Sequence, residues 1–242
     1  MQAIVLNKIK YSDNSFIVNL YSLNHGRFAC IVRFSKTKKI NTNHNLFFPL
    51  NIIDTEVNFR NSRNIQTLKN INSAIVLNQI CSNINKICIA QFIAEVISKT
   101  IKEEEENSNL YNFIKETILL LENSNNNDVN KLHLIFLKEF AKFLGFAITN
   151  NFCKETPYFN FKEGMFLPLY TTDSESLEID RGKILSNILD INYNNISTSK
   201  ISYTEKKLLL QYLLKYYDFH IVTFGNLKSI KVLNELFYDI NV

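Results

Sequence analysis

The stretch AIVLNKIKYSDNSFIVNLYSLNHGRFACIVRF, residues 3–34, decides how the chain begins. Within it Phe28, Cys30, Val32 and Phe34 alternate with Arg27, Ala29, Ile31 and Arg33. That period of two sends the two sets to opposite faces of a strand. Phe16, Val18 and Leu20 alternate in the same way with Ile17, Asn19 and Tyr21, and residues 3–11 form a further strand before them. Asn24-His25-Gly26 supplies the turn, because Gly26 can take the positive φ that a tight hairpin needs. Working outward, a fourth strand is expected over 46–59 and a fifth near 65–71. In the fourth, the apolar parity slips at Ile52-Ile53 and Pro49 has no N–H to give a ladder, which marks a bulge or an edge. Five strands in about 70 residues predict a closed Greek-key barrel of the OB type, which leaves no open sheet edge.

From about residue 72 the period becomes helical. Ile84, Ile87, Cys88, Phe92, Val96 and Ile97 form one apolar stripe, and Leu110, Phe113, Ile114, Thr117, Ile118 and Leu121 a second. A third runs from Leu132 to Leu144 and ends at Gly145 as a C-terminal cap. A short hairpin is expected near 150–172, with Tyr158 to Phe161 facing Met165 to Leu169, then a helix near Ser176 to Asp190. Ser202-Tyr203-Thr204-Glu205 is a capping box opening a helix to about His220, and a last helix covers about Lys228 to Phe237. The fold class is therefore α+β, with an OB-fold barrel over residues 1–79 and a mostly α-helical domain over 80–242.

Composition excludes several classes. The chain has 242 residues, 46% apolar and 21% charged, the proportions of a globular protein able to bury a core. Apolar runs such as Ile114 to Leu121 break long before the roughly 20 residues a bilayer span needs, and the opening MQAIVLNKIKYSD is not expected to act as a secretory signal. A cytoplasmic protein without a membrane partner is expected. Cys30, Cys81, Cys88 and Cys153 show no CxxC spacing and are expected as reduced, mostly buried thiols. His25, His44, His133 and His220 show no HxxxH or HExxH spacing, with the last two expected as partly buried helix residues. Glu103 to Glu106 is expected as the solvated end of a helix. Five glycines and no GxxxxGK or GxGxxG exclude a phosphate-cradling loop of those types. No convergent polar constellation points to catalysis, so a non-enzymatic protein without metal or cofactor is expected.

Charge is more informative. Residues 1–79 hold ten Lys or Arg against three acids, a balance of +7, whereas the other 17 bases and 20 acids leave −3. Lys outnumbers Arg by 22 to 5, a habit of A+T-rich genomes, but such drift acts along the whole chain and cannot reverse sign between its parts. The N-terminal part alone looks like a polyanion-binding surface. Arg27 and Arg33 share one face of the third strand, and Lys36, Lys38 and Lys39 follow in SKTKKINTNHN, residues 35–45, a stretch expected to be a mobile loop. Bases so placed neutralise phosphates with salt-dependent, sequence-independent affinity, and Tyr11 or Phe34 offers a stacking platform. For Phe28 and Phe34 strand parity favours the core instead. An RNA-binding accessory module and a metal-dependent nucleic-acid-processing enzyme remain as alternatives to DNA binding.

Residues 3–34 also resemble the opening of the RecO family of bacterial recombination mediators, in which a Ser-containing turn, a second strand and an HG(R/K) hairpin follow the first strand. IAQFIAEVISKTIKEEEENSNLYNFI, FLKEFAKFLGF and LLLQYLLKYYDFHIVTFGNLKSIKVLNELF resemble helices of its C-terminal domain, in the family's order. The resemblance implies an OB-fold that binds single-stranded and double-stranded DNA, with a helical domain behind it. It further implies action with RecR to anneal strands and load RecA onto DNA coated with single-strand-binding protein. Many members carry a four-cysteine zinc site after the LGF segment; here NNFCKETPYFNFKEGMF keeps only Cys153, which implies a zinc-free form packed by Tyr158, Phe159 and Phe161. Members also bind the acidic, Phe-ending tail of single-strand-binding protein. A ligand of that kind needs an apolar pocket and a cation, and Phe136, Phe140 and Phe143 beside Lys138 and Lys142 offer both, although a stripe of this kind more commonly packs inward.

Overall fold

The computed structural model describes residues 1–33, 44–60, 62–102, 104–222 and 224–238. The chain divides into two compact units, Met1–Asn123 and Ser124–Val242.

The first unit is built on five strands: β1 (Gln2–Ser12), β2 (Ser15–Ser22), β3 (Gly26–Arg33), β4 (Ile52–Val57) and β5 (Ile65–Ser73). They close in the order β1-β2-β3-β5-β4, with β4 returning to β1. All pairs are antiparallel except β3 with β5, where Ala29 lies beside Ile65. This is the expected OB-like barrel. Val18, Leu20, Phe28, Cys30 and Val32 fill it with Ala3, Val5, Phe47, Ile53 and Leu68, as the alternation requires. Gly26 has φ +54°, the left-handed value its turn demands.

The fourth strand is shorter than its apolar content implies. Residues His44–Phe47 form a 3-10 turn, Leu50 takes φ +65°, and the strand begins only at Ile52. The preceding stretch satisfies its polar groups locally, Asn51 Nδ2 donating to Leu46 O at 2.7 Å, while Leu50 N donates to Val5 O and Val5 N to Asn51 O. A register shift between Asp54 and Glu56 marks the bulge.

Three helices complete this unit: α1 (Asn78–Ser82), α2 (Ile84–Thr100) and α3 (Ser108–Asn123). Asn83 caps α2 by accepting from Asn85 N and Lys86 N. The Glu122 carboxylate accepts from Gln79 N and Ile80 N at 2.8 and 2.9 Å, so the last turn of α3 holds the first turn of α1. Helix α2 stops at Thr100, which puts Glu104, Glu105 and Glu106 outside it instead of at its end.

The second unit contains α4 (Asn126–Phe143), a hairpin of β6 (Tyr158–Asn160) and β7 (Met165–Leu167), α5 (Ile179–Leu189), α6 (Tyr203–His220) and α7 (Ser229–Phe237). Helix α4 starts six residues before the apolar stripe that announces it, because Asn125 caps it through Asn127 N and Asp128 N. Ser202 and Glu205 form the expected capping box on α6. Around the hairpin, Phe159, Phe161 and Phe166 are buried, with Phe159 edge-on to both others at 5.5 and 5.1 Å. Cys153 is exposed there, its Sγ 3.1 Å from Thr156 Oγ1, and one cysteine does not fit a four-cysteine site. Among the described residues no group of three or more His, Cys, Asp or Glu could hold a metal ion. Cys81 is also exposed, so only Cys30 and Cys88 are buried thiols. His133 is wholly buried, not partly so, with Nε2 2.7 Å from the Tyr238 hydroxyl. Among the described residues no helix is long and apolar enough to cross a membrane.

Candidate nucleic-acid interface

The outer face of β2 and β3 is covered at one end and open at the other. At the covered end Asn19 donates to Asn7, Asn7 donates to Ser98 on α2, and Tyr21 stacks on Tyr111 of α3. Arg27 belongs to this end. Its Nη1 donates to Ser98 O at 2.8 Å and Ile101 O at 2.9 Å, the terminal carbonyls of α2. A helix C-terminus presents unsatisfied carbonyls and partial negative charge, so a guanidinium there is well placed for the fold. Arg33 is exposed at the open end, opposite Ser15. The two arginines share a strand face, as parity requires, but work in different surroundings.

Near Arg33 the β1–β2 hairpin carries Tyr11, which the sequence offered as a stacking platform, and two lysines that the sequence reading did not place in the site. Residues 8–12 are all exposed, with Ile9 at 56% and Tyr11 at 65%. Lys8 and Lys10 lie on this half of β1, and Lys10 forms a surface pair with Asp13 at 3.5 Å, of a kind worth little in water. The signal was available: Lys-x-Lys-Tyr at a strand end differs from the apolar residues 3–6 before it. Arg60 and Arg63 occupy the β4–β5 turn, which the buried Gln66 side chain ties together by accepting from Arg60 N and donating to Arg60 O and Arg63 O. His25 stacks on Phe59 at 3.8 Å, joining this turn to the β2–β3 turn. Basic groups thus sit toward both ends of β3, whose Arg27 and Arg33 are roughly 20 Å apart along the strand at 3.3 Å per residue. Lys36, Lys38, Lys39 and Phe34 lie outside the described residues.

Of the five residues expected to take a partner tail, Phe136 and Phe140 are wholly buried and stack at 4.9 Å. Phe143 is 38% exposed. Lys138 Nζ donates to Leu189 O and Ile191 O at the end of α5 and pairs with Glu139 at 3.0 Å. Lys142 shares Glu139 at 2.6 Å. Burial opposes the charge on Glu139, but hydrogen bonds from Lys142 and Lys138 outweigh it and hold the carboxyl below its usual range. Only Phe143 and Lys142 of the five face solvent to a substantial degree.

A closed five-stranded OB-like barrel followed by helices defines a class of small-barrel proteins suited to holding a nucleic-acid strand. A family model for the recombination protein O N-terminal region matches residues 1–76, and one for its C-terminal region matches 81–229. The chain is 32% identical over 239 residues to a DNA repair protein RecO from Flavobacterium psychrophilum, covering 98% of each. Against the DNA repair protein RecO of Azobacteroides pseudotrichonymphae it is 30% identical over 236 residues, again covering 98% of each. The chain belongs to the RecO family, and its role lies in DNA repair and recombination.

Proposed function

We propose that this chain is a non-enzymatic recombination mediator of the cytoplasm. Its barrel, residues 1–79, binds single-stranded and double-stranded DNA through Arg33, Lys36, Lys38 and Lys39, with Arg27 contributing through position more than through direct contact. With RecR it anneals strands and promotes RecA loading onto DNA coated with single-strand-binding protein, while the helical domain, residues 80–242, receives the tail of that protein near Lys142 and Phe143. The observation that carries this reading is the exposed β1–β2 hairpin. It exposes Tyr11 near the end of β3 that carries Arg33, with Lys8 and Lys10 on the hairpin's other face in register with Val18 and Phe16, and from Arg33 the chain runs on into the lysine-rich segment. Cations on that surface bind phosphates, and an exposed ring stacks on bases without regard to sequence.

Replacing Lys36, Lys38 and Lys39 together with Ala should weaken single-stranded DNA binding and flatten its log-log salt slope by roughly one unit per lost contact at most. Tyr11→Ala should weaken binding by about 1–3 kcal/mol with the slope unchanged, since stacking releases no counterion. Unchanged affinity in both variants would remove DNA from this face. Annealing of strands coated with single-strand-binding protein, with and without RecR, tests the mediator role.

A further inference from the structure

The second unit holds a cleft of about 310 Å³, within the range of small-ligand sites and separate from the surfaces above. Its lining includes Tyr170, Asp173, Glu178, Arg181, Tyr212 and Lys215. Tyr212 is 8% exposed, and its hydroxyl has no hydrogen-bond partner. A buried hydroxyl left in that condition is unfavourable, and Tyr212 forms part of the cleft wall, so an acceptor reaching it from the cleft would relieve the cost. Lys215 follows three residues later on the same side of α6. Its Nζ lies 4.4 Å above the Phe161 ring and 3.3 Å from Asp173 O, and among the described residues it forms no salt bridge. Arg181, on the first turn of α5, likewise has no salt bridge among the described residues. It is the only arginine after residue 63 in a chain that otherwise uses lysine. Glu178, the N-cap of α5, makes no side-chain capping bond, so the first-turn amides at the cleft keep their donors.

Two acids temper the positive charge. The Asp173 carboxylate already accepts the Tyr170 hydroxyl at 2.5 Å, and Glu178 is exposed at the rim. The donors left over are of four kinds and come from two helices: a guanidinium and amides from α5, and an ammonium and a phenol from α6. A phosphate monoester, with three terminal oxygens, can engage more of such a set than a carboxylate or a phosphodiester, each with two. We infer that this cleft binds a phosphate monoester, held by Arg181, Lys215, the Tyr212 hydroxyl and the first turn of α5. Such a group occurs on a free mononucleotide and at the 5′ end of a DNA strand.

The full chain titrated with inorganic phosphate, followed by tyrosine fluorescence, should saturate. Arg181→Ala and Lys215→Ala should each weaken that binding at least about tenfold, the loss expected for a charge-assisted hydrogen bond. Tyr212→Phe, which keeps the ring and its packing, should weaken it about 3- to 10-fold. Lys183→Ala, on the same helix but outside the cleft, should bind as the unaltered chain does, and unchanged melting without phosphate will show that each variant folds. AMP, and 5′-phosphorylated against 5′-hydroxyl forms of one short oligonucleotide, then separate the two sources. The oligonucleotide difference must vanish in Arg181→Ala if strand ends are the ligand. Non-saturating titration, cleft variants that bind normally, or acetate that competes as well as phosphate would each overturn the inference.

Discussion

At Arg27 the carbonyls that end α2 hold a group that sequence parity alone offers to a phosphate. Two charge-assisted bonds to half-buried carbonyls predict that Arg27→Ala lowers stability by about 2 kcal/mol in urea unfolding while leaving the salt slope of DNA binding nearly intact. Arg33→Ala should do the reverse, staying within about 0.5 kcal/mol in stability and losing DNA affinity. His133 gives a pH-dependent counterpart. Burial above all, helped by Lys206, pushes its pKa down to about 3. The folded chain therefore keeps it neutral, while the unfolded chain takes up a proton below about pH 6.5. Its contribution is complete above that pH and falls by about 1.4 kcal/mol per unit as pH drops toward 3. Unfolding measured at pH 7 and pH 5 should show this slope, and His133→Leu, though less stable at pH 7, should lose that part of it.

Among the elements, α5 is held by features of opposite character. Lys138 closes its C-terminal carbonyls, and Gly182 lets its first turns approach the β6–β7 hairpin. A Cβ on Gly182 would lie 2.9 Å from Pro157 O and 3.3 Å from a Phe166 ring carbon. In an open helix Gly→Ala gains about 1 kcal/mol. Here Gly182→Ala should destabilise by about 1–3 kcal/mol, read as a lower melting temperature, because backbone and a buried ring must shift. Neither role was legible in the sequence, since each depends on a partner many residues away. What depends on neighbours in the chain was legible: the β3 alternation, the Gly26 turn, the Ser202–Glu205 capping box and the Gly145 cap. The β4 expectation lies between these cases, its parity slip marking a real irregularity while Leu46 to Leu50 proved to be turn. At the candidate interface the basic segment, residues 35–45, is a feature of sequence whose lysines lie outside the described residues. The separation of Arg27 from Arg33 could not be read from the sequence, because Ser98 and Ile101 enter only when α2 packs on the barrel.

For the molecule as a whole, the first compact unit extends well beyond the last barrel strand. Asn7, Tyr21 and Arg27 complete their contacts on α2 and α3, so a fragment of residues 1–123 should melt cooperatively with a dispersed amide spectrum. A fragment of residues 1–79 should show a broad or absent transition, because it exposes that face of β2 and β3 to water. The parallel pairing of β3 with β5 has a consequence during synthesis. Ala29 leaves the ribosome well before Ile65, its neighbour across the closing seam. At about 5–20 residues per second the nascent β1-β2-β3 sheet waits seconds for its missing partners. Unpaired strands in that interval invite edge-to-edge association between chains, and lysine and arginine are residues that resist it. Lys8, Lys10 and Arg33 stand on those strands, so the charges proposed to meet DNA in the finished barrel would also keep unfinished barrels apart.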